Sequence, residues 1–221
     1  MRTLVTGSTG FIGRHLVGQL AQTVATVRAM QRNTGPDADG RVERVRGDVL
    51  DPCSIARAMA GCDTVYHLAA YAHAWARSPE TFFDVNVTGT RSVLEAALRH
   101  GVRRVVVTSS VVTMGSAEGE AANESTPRSA PALTPYEESK IAAEEAALEY
   151  ARRGLQVVIV NPTRVFGPGI LNEVKTSYAE APYCIDKARE ELGYSVTPLA
   201  DALSATVAWL NRGGPREEAA A

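Results

Sequence analysis

The sequence has few cysteines, no long apolar run and little net charge, and each shortage argues against a class of protein. Among its 221 residues are only three cysteines, whose spacing matches no metal or redox motif. No apolar run approaches the ~20 residues of a bilayer-spanning helix. The net charge of −2 gives no basic footprint for nucleic acid. We therefore expect a cytoplasmic protein with no metal, membrane or nucleic-acid partner.

What the chain does contain is a glycine motif at its beginning. Residues 4–6 predict a short buried strand, and apolar residues at helical spacing follow from residue 11. Between them, Gly7 would permit a tight turn, Gly10 would let a pyrophosphate approach the backbone, and Gly13 would let the helix pack closely on the strand. The free N–H groups of the helix N-terminus would attract phosphates. This arrangement predicts dinucleotide binding.

Strands and helices are predicted to alternate along most of the chain. The alternation favours an α/β fold with a parallel, doubly wound sheet, whose ligand lies at the carboxyl ends of the strands. Residues 115–135 lack periodicity and are expected to form a loop. The predicted strands are 4–6, 24–31, 41–46, 64–68, 104–108 and 155–160, and the predicted helices follow residue 13 to about 22 and lie at 51–59, 79–100, 137–153, 186–192 and 198–210.

A second group of residues indicates proton transfer. Thr108, Ser109 and Ser110 end a predicted strand, so their hydroxyl groups should face the ligand crevice. Tyr136 and Lys140 are four residues apart and share one face of a predicted helix. A lysine so placed lowers the pKa of a neighbouring phenol, which can then exchange a proton with a carbonyl or alcohol oxygen. A plain surface pair is the alternative, and the preceding serines and the glycine motif favour the functional interpretation.

These motifs together resemble those of extended short-chain dehydrogenases/reductases of the NAD-dependent epimerase/dehydratase family. The resemblance leans toward the dihydroflavonol-reductase-like and hopanoid-associated sugar-epimerase-like branch, and it implies a Rossmann fold. The motifs, in chain order, are TGSTGFIG at 6–13, GDVLDP at 47–52, GCDTVYHLAA at 61–70, NVTGT at 86–90, VVVTSS at 105–110, YEESK at 136–140, NPTRVFGPG at 161–169 and DKAREELGY at 186–194.

The resemblance also implies roles for individual residues. Tyr136 would be the acid/base, Lys140 would tune it and hold a ribose, and Ser110 rather than Ser109 would contact the substrate oxygen. Asp48 and Val49 would contact adenine, Asn86 would buttress the site, and Pro162 with the residues after it would border the nicotinamide. The complete set expected to bind the cofactor is Gly7, Thr9, Gly10, Phe11, Ile12, Gly13, Arg32, Asp48, Val49, Leu68, Ala69, Ala70, Asn86, Thr108, Tyr136, Lys140, Pro162 and Val165.

The end of the second predicted strand bears on the choice between NADP and NAD. In this fold an acidic residue there holds the ribose 2′-hydroxyl of NAD, whereas basic residues accommodate the 2′-phosphate of NADP. Residues 27–32 contain no acid, and Arg32 stands where the acid is expected. We therefore favour NADP(H), with NAD(H) as the alternative. Arg28 is a second candidate for the phosphate, and a solvated loop position is the other interpretation of Arg32.

The chain departs from the family pattern after Gly169. The resemblance implies a long further segment that supplies most of the substrate pocket, yet here Ile170 leads almost directly to the segment at 186–194. Either that stretch is left out of the sequence, which we favour, or the deletion is real. We expect a dinucleotide-binding Rossmann domain at 1–169, the remnant of a substrate domain with C-terminal helices at 170–212, and a disordered tail at 213–221.

Three functions are consistent with these residues. The first is an NAD(P)-dependent oxidoreductase that transfers a hydride to or from a carbonyl or alcohol carbon. The second is a sugar-nucleotide epimerase or dehydratase that retains its NAD, and the third is a non-catalytic dinucleotide-binding protein. The expected partner is a small carbonyl, alcohol or nucleotide-sugar substrate, and a homodimer is left open. His67, in a predicted strand, is expected to be a core histidine.

Overall fold

The computed structural model describes residues 1–23, 26–33, 40–73, 75–115, 121–128, 130–163, 165, 167–169 and 183–212. Six strands form one sheet: β1 Arg2–Thr6, β2 Thr26–Gln31, β3 Val42–Arg46, β4 Thr64–His67, β5 Arg104–Thr108 and β6 Gln156–Val160. The α-helices are α1 Phe11–Thr23, α2 Pro52–Met59, α3 Glu80–Phe83, α4 Gly89–Arg99, α5 Pro135–Arg152, α6 Asp186–Leu192 and α7 Leu199–Asn211.

The six strands are all parallel, in the order β3-β2-β1-β4-β5-β6. The predicted α/β fold is thus confirmed. Strands β2 and β3 are added on one side of β1, and β4, β5 and β6 are added on its other side. In sheets of this kind, ligands bind outside the carboxyl ends of the strands at the point between β1 and β4 where the strand order changes direction. Leu4 on β1, Val65 on β4 and Val105 on β5 are fully buried in the core.

Local sequence explains where the helices begin. Helix α2 follows Asp51, whose carboxylate accepts from the backbone N–H of Cys53, and has Pro52 in its first turn. Helix α5 follows Thr134, whose hydroxyl accepts from the N–H of Glu137, and it also begins with a proline. A side-chain cap satisfies a backbone donor that the helix leaves free, and proline suits the first turn because it has no N–H to place.

The one long helix predicted at 79–100 is divided in the structure. Helix α3 ends at Phe83, a π-helical turn spans Asp84–Thr88, and α4 begins at Gly89. A π-helical turn inserts one extra residue and is often found at functional sites. Because the displacement is only one residue, the apolar positions on both sides still fit a single helical pattern, and the turn could not be predicted from them.

The described chain forms two compact units. The first comprises 1–113 and 131–162 and contains the whole sheet. The second comprises 114–130 and 163–221, where Ala122 pairs with Tyr183 in a short parallel bridge. The domain boundaries expected from the sequence stay a prediction. Val24 and the stretch 170–182, where the departure from the family pattern falls, lie outside the described residues. No helix in the described part of the chain is long and apolar enough to cross a membrane.

Candidate dinucleotide and proton-transfer site

The glycine turn after β1 lies directly against the end of β4. Gly7 has a φ of +66°, and a Cβ there would stand 2.6 Å from the backbone nitrogen of Ala69 and 2.7 Å from the carbonyl carbon of Leu68. Only glycine combines this left-handed conformation with so close an approach. Two predicted cofactor segments, one after β1 and one after β4, are thereby brought into contact.

Gly10 and Gly13 complete the turn. The N–H of Gly10 donates to the carbonyl of Gly7 at 3.0 Å, and a Cβ on Gly13 would overlap that same carbonyl. The close packing predicted at Gly13 is present, but its partner is the turn itself rather than strand β1. The side chains of Thr9 and Ile12 are exposed beside the turn and Phe11 is half-buried.

A neighbouring serine fastens the turn to the sheet. Ser8 is buried, and its hydroxyl donates to the carbonyl of Met30 on β2 at 2.9 Å. The sequence analysis did not single out this residue, because a serine inside a glycine turn looks like a solvated loop residue. The turn is therefore held on both sides, by β4 and by β2.

The adenine candidates lie after β3. Asp48 is half-buried, and its carboxylate accepts from the N–H of Leu50 at 2.9 Å. The side chain of Val49 is buried in the core against Gly89, so a contact of Val49 with adenine would come from its backbone. After β4, Leu68 and Ala69 are half-buried and Ala70 is exposed.

A cleft of about 480 Å³ lies at the carboxyl ends of β2 and β3. Arg32 is exposed and lines it together with Arg46 and Arg57, and two acidic residues, Asp48 and Asp51, line it as well. The sequence analysis missed Arg46 and Arg57. The position of Arg46 at the end of β3 could have pointed to it, because ends of adjacent parallel strands share one edge of the sheet.

Arg28 does not belong to this cleft. Its side chain is largely buried, its Nη1 donates to the carbonyls of Ala58 and Ala60 at 2.8 and 3.0 Å, and its Nε donates to Glu43 at 3.0 Å. The guanidinium thus satisfies carbonyl groups at the C-terminus of α2, where positive charge is favoured. The sequence-based suggestion that Arg28 could hold a phosphate was wrong.

Lys140 joins helix α5 to the end of β5. The lysine is 5% exposed, and its Nζ donates to the backbone carbonyl of Thr108 at 3.0 Å. Burial lowers the pKa of Lys140 to about 8, and the negative charge of Glu144 opposes that shift. Tyr136 is half-buried one turn earlier on the same helix. An ammonium group held here favours the ionised form of a phenol beside it.

The two candidate serines differ in exposure. Ser109 is buried, and its N–H donates to the carbonyl of Val160 at 2.7 Å. Ser110 is half-buried at the start of the turn Val111–Thr113. The N–H of Val111 donates to the carbonyl of Pro162 at 3.2 Å, so the residues after β5 and β6 lie together. Ser110 is thus the more exposed of the two serines, and its contact with a substrate stays a prediction. Val165 is half-buried in the second unit.

Asn86 stands in the π-helical turn and is almost fully buried. Its Oδ1 accepts from the N–H of Tyr71 at 2.7 Å, and its Nδ2 donates to the carbonyl of Tyr71 and to the hydroxyl of Ser139, at 3.2 and 2.9 Å. It therefore ties the segment after β4 to helix α5. The ring of Phe82 meets that of Tyr136 edge to face at a centroid distance of 6.4 Å.

Comparison with known proteins agrees with this geometry. The family model described as NAD dependent epimerase/dehydratase family matches residues 3–210. The chain belongs to this family. Curated proteins that are similar to the chain include sterol demethylase protein B of Methylococcus capsulatus, 42% identical over 172 residues, and a putative dihydroflavonol 4-reductase of Synechocystis, 38% identical over 169 residues. These matches cover 76% and 74% of this chain.

The chain spans about half the length of the curated relatives it matches, 52% and 49% for these two. Among solved structures, MoeE5 in complex with UDP-glucuronic acid and NAD is 37% identical to this chain, with a TM-score of 0.68. The match covers 78% of this chain and 58% of the MoeE5 chain. The structure of gox2253 has a TM-score of 0.83 and covers 96% of this chain and 98% of its own, but at 24% identity it shows the fold alone.

Proposed function

We propose that this epimerase/dehydratase family member is an NADP(H)-dependent oxidoreductase that acts on a carbonyl or alcohol carbon. The observation that carries the proposal is the bond from Lys140 to Thr108, which holds helix α5, the helix of Tyr136, at the carboxyl end of β5. A proton-transfer pair and a hydroxyl donor would then stand at the edge of the sheet where the ligand crevice of this fold lies.

The glycine turn fits a dinucleotide. The close approach of Gly7 to Leu68 and Ala69, and of Gly13 to Gly7, leaves no room for side chains at these positions. The first N–H groups of a helix such as α1 have no partner within the helix. Such groups, with the helix dipole, bind phosphate. When bound, the nicotinamide supplies or accepts the hydride. Tyr136 would exchange a proton with the substrate oxygen, Ser110 would hydrogen-bond that oxygen, and Lys140 would stabilise the phenolate.

The arginine cleft favours NADP(H) over NAD(H). Arg32, Arg46 and Arg57 all line the cleft at the carboxyl ends of β2 and β3, where the adenosine ribose lies in this fold. A 2′-phosphate there would meet three guanidinium groups, whose planar donors suit phosphate oxygens. The carboxylates of Asp48 and Asp51 already accept backbone N–H groups, from Leu50 and Cys53 respectively.

The proposed function is tested with Tyr136→Phe. Phenylalanine keeps the packing of the ring and removes only the hydroxyl, so we expect NADPH affinity to remain and turnover of a ketone to be lost. Binding is followed by NADPH fluorescence, and turnover by NADPH oxidation with acetophenone, cyclohexanone and diacetyl as probes. Turnover within about tenfold of the wild-type value, a difference of only ~1.4 kcal/mol, would contradict the assignment.

A sugar-nucleotide epimerase is the second candidate, because MoeE5, at 37% identity, was crystallised with UDP-glucuronic acid and NAD. An enzyme of that kind would be purified with NAD tightly held. The cofactor released by denaturing the purified protein therefore separates the candidates: NAD in stoichiometric amount favours the epimerase, and a site that is filled only by added NADPH favours the oxidoreductase.

A further inference from the structure

Helix α5 carries a third side chain on the face that bears Tyr136 and Lys140. Glu144 follows Lys140 by four residues and Tyr136 by eight, so the three lie one above another along the helix. Glu144 is half-buried. The proposed function gives this carboxylate no task.

The carboxylate of Glu144 accepts two hydrogen bonds from other parts of the site. Its Oε1 accepts from the hydroxyl of Thr113 at 2.8 Å and from the Nδ2 of Asn161 at 2.6 Å. Thr113 ends the turn that follows β5, and Asn161 directly follows β6. A single oxygen atom on α5 therefore joins the ends of two strands.

Both partners of Glu144 also contact Ser110. The Nδ2 of Asn161 is 3.2 Å from the carbonyl oxygen of Ser110, and the hydroxyl of Thr113 is 2.8 Å from it. The amide of Asn161 has two N–H groups, so it can donate to Glu144 and to Ser110 at the same time, whereas the single proton of the Thr113 hydroxyl can go to only one of the two. Two consecutive hydrogen bonds, from Asn161 to Glu144 and from Asn161 to the carbonyl of Ser110, therefore connect α5 to the backbone of Ser110.

We propose that Glu144 is a positioning residue, which fixes Ser110 relative to Tyr136 and Lys140 through Asn161 and Thr113. The backbone of Ser110 is thus fixed by the same helix that carries the proton-transfer pair. A serine held in this way meets the substrate oxygen without first having to be ordered, and preorganisation of this kind raises kcat rather than cofactor affinity.

The inference rests on the proposed function, so the experiment measures both. The variants are Glu144→Ala, Glu144→Gln and Tyr136→Phe, and the matched control is Glu145→Gln, which changes the exposed carboxylate one residue further along α5. Glutamine keeps an oxygen that can accept both hydrogen bonds. Each protein is assayed for kcat and for the KM of NADPH with the same three ketones, and for the fluorescence emission of bound NADPH.

We expect Glu144→Ala to lower kcat by at least about tenfold while the KM of NADPH changes by no more than about twofold. Glu144→Gln should restore kcat to within about threefold of the wild-type value, and Glu145→Gln should match the wild type. The emission of bound NADPH should shift in Glu144→Ala alone, because Pro162 accepts from the turn that follows Ser110 and would border the nicotinamide.

Two results would overturn the inference. One is a Glu144→Ala enzyme that unfolds at a lower temperature but keeps the wild-type kcat and emission, since Glu144 would then support only the fold. The other is a Gln variant as impaired as the Ala variant, since charge rather than position would then matter. If Glu144→Ala does not fold, Asn161→Leu removes the amide that bridges Glu144 and Ser110, and it must lower kcat by at least about tenfold.

Failure of the proposed function gives a different pattern. Equal turnover by wild type and Tyr136→Phe would contradict the proposed function, whatever the results with the Glu144 variants. If the wild type reduces none of the three ketones, the emission of bound NADPH still decides the role of Glu144. An unchanged emission in Glu144→Ala would then overturn the inference.

Discussion

Lys140 donates a hydrogen bond from its Nζ to the backbone carbonyl of Thr108 at 3.0 Å. The bond places a charged group in the core between α5 and β5, where burial lowers the pKa of Lys140 to about 8. A buried ammonium destabilises the fold, whereas the proposed function requires that charge, and conflicts of this kind between stability and activity are frequent at functional sites.

Lys140→Met should separate these two effects. Methionine has a similar shape and no charge, so we expect turnover to be lost and the free energy of unfolding at pH 7 to stay level or rise. Between pH 8 and 10.5 the unfolded chain keeps a proton that folded Lys140 releases, so the wild type should gain stability relative to the variant as pH rises. Urea unfolding across this range measures the difference, and a constant difference would contradict the lowered pKa of Lys140.

Arg32→Asp should weaken NADPH binding. A charge-assisted bond to the 2′-phosphate is worth ~1.5–3 kcal/mol, which corresponds to roughly ten- to over a hundredfold in affinity. NADH affinity should stay similar or improve. Fluorescence titration of both cofactors measures the change, with Arg103→Asp as a control that alters net charge equally at an exposed residue just before β5. If NADPH affinity is unchanged in Arg32→Asp, the phosphate does not contact Arg32, and Arg57→Ala is the next variant.

Alanine substitution should be harmful at one glycine of helix α1, Gly13, and stabilising at another, Gly18. A methyl group on Gly13 would overlap the carbonyl of Gly7, so Gly13→Ala must displace the turn and should abolish binding of NADPH and NADH. A methyl group on Gly18 would meet no atom within 4 Å, and Gly18→Ala should stabilise the helix by about 0.5–1 kcal/mol. Thermal unfolding and cofactor titration of both variants test this. Intact binding by Gly13→Ala would show that the turn does not cradle the cofactor.

His67 should make the protein sensitive to acid. Its Nδ1 pairs with the hydroxyl of Thr6 at 2.8 Å and its Nε2 with that of Thr90 at 2.9 Å, and burial lowers the pKa of His67 from 6.5 to about 3. As pH falls through that interval the unfolded chain binds a proton that folded His67 does not, so stability decreases.

A variant without a titrating side chain at position 67 should lose the part of the acid sensitivity that His67 causes. We expect the free energy of unfolding of His67→Gln to fall less between pH 7 and 5 than that of the wild type, whereas the exposed His100→Gln should follow the wild type. Parallel pH dependence in wild type and His67→Gln would mean that another group causes the acid sensitivity.

The sequence by itself determined the order and type of the main elements and the family. The six strands and most helices lie within a few residues of their predicted positions, because the apolar runs of parallel strands and the 3.6-residue period of helices are local properties of the sequence. The glycines at 7, 10 and 13 could be assigned to a turn for the same reason, since backbone freedom is encoded in the residue type itself. His67 is a core histidine, as expected.

Only the tertiary structure decided which polar side chains meet. Arg28 and Arg32 are equally basic in the sequence, yet Arg28 is bonded to carbonyl groups thirty and more residues away at the end of α2, and Arg32 lines a cleft with Arg46 and Arg57. Hydrogen bonds of polar side chains depend on distance and direction in space, and such contacts between separate elements leave no periodic pattern along the chain. The hydrogen bonds of Glu144 with Asn161 and Thr113 therefore became visible only in the tertiary structure, where the ends of β5 and β6 lie side by side.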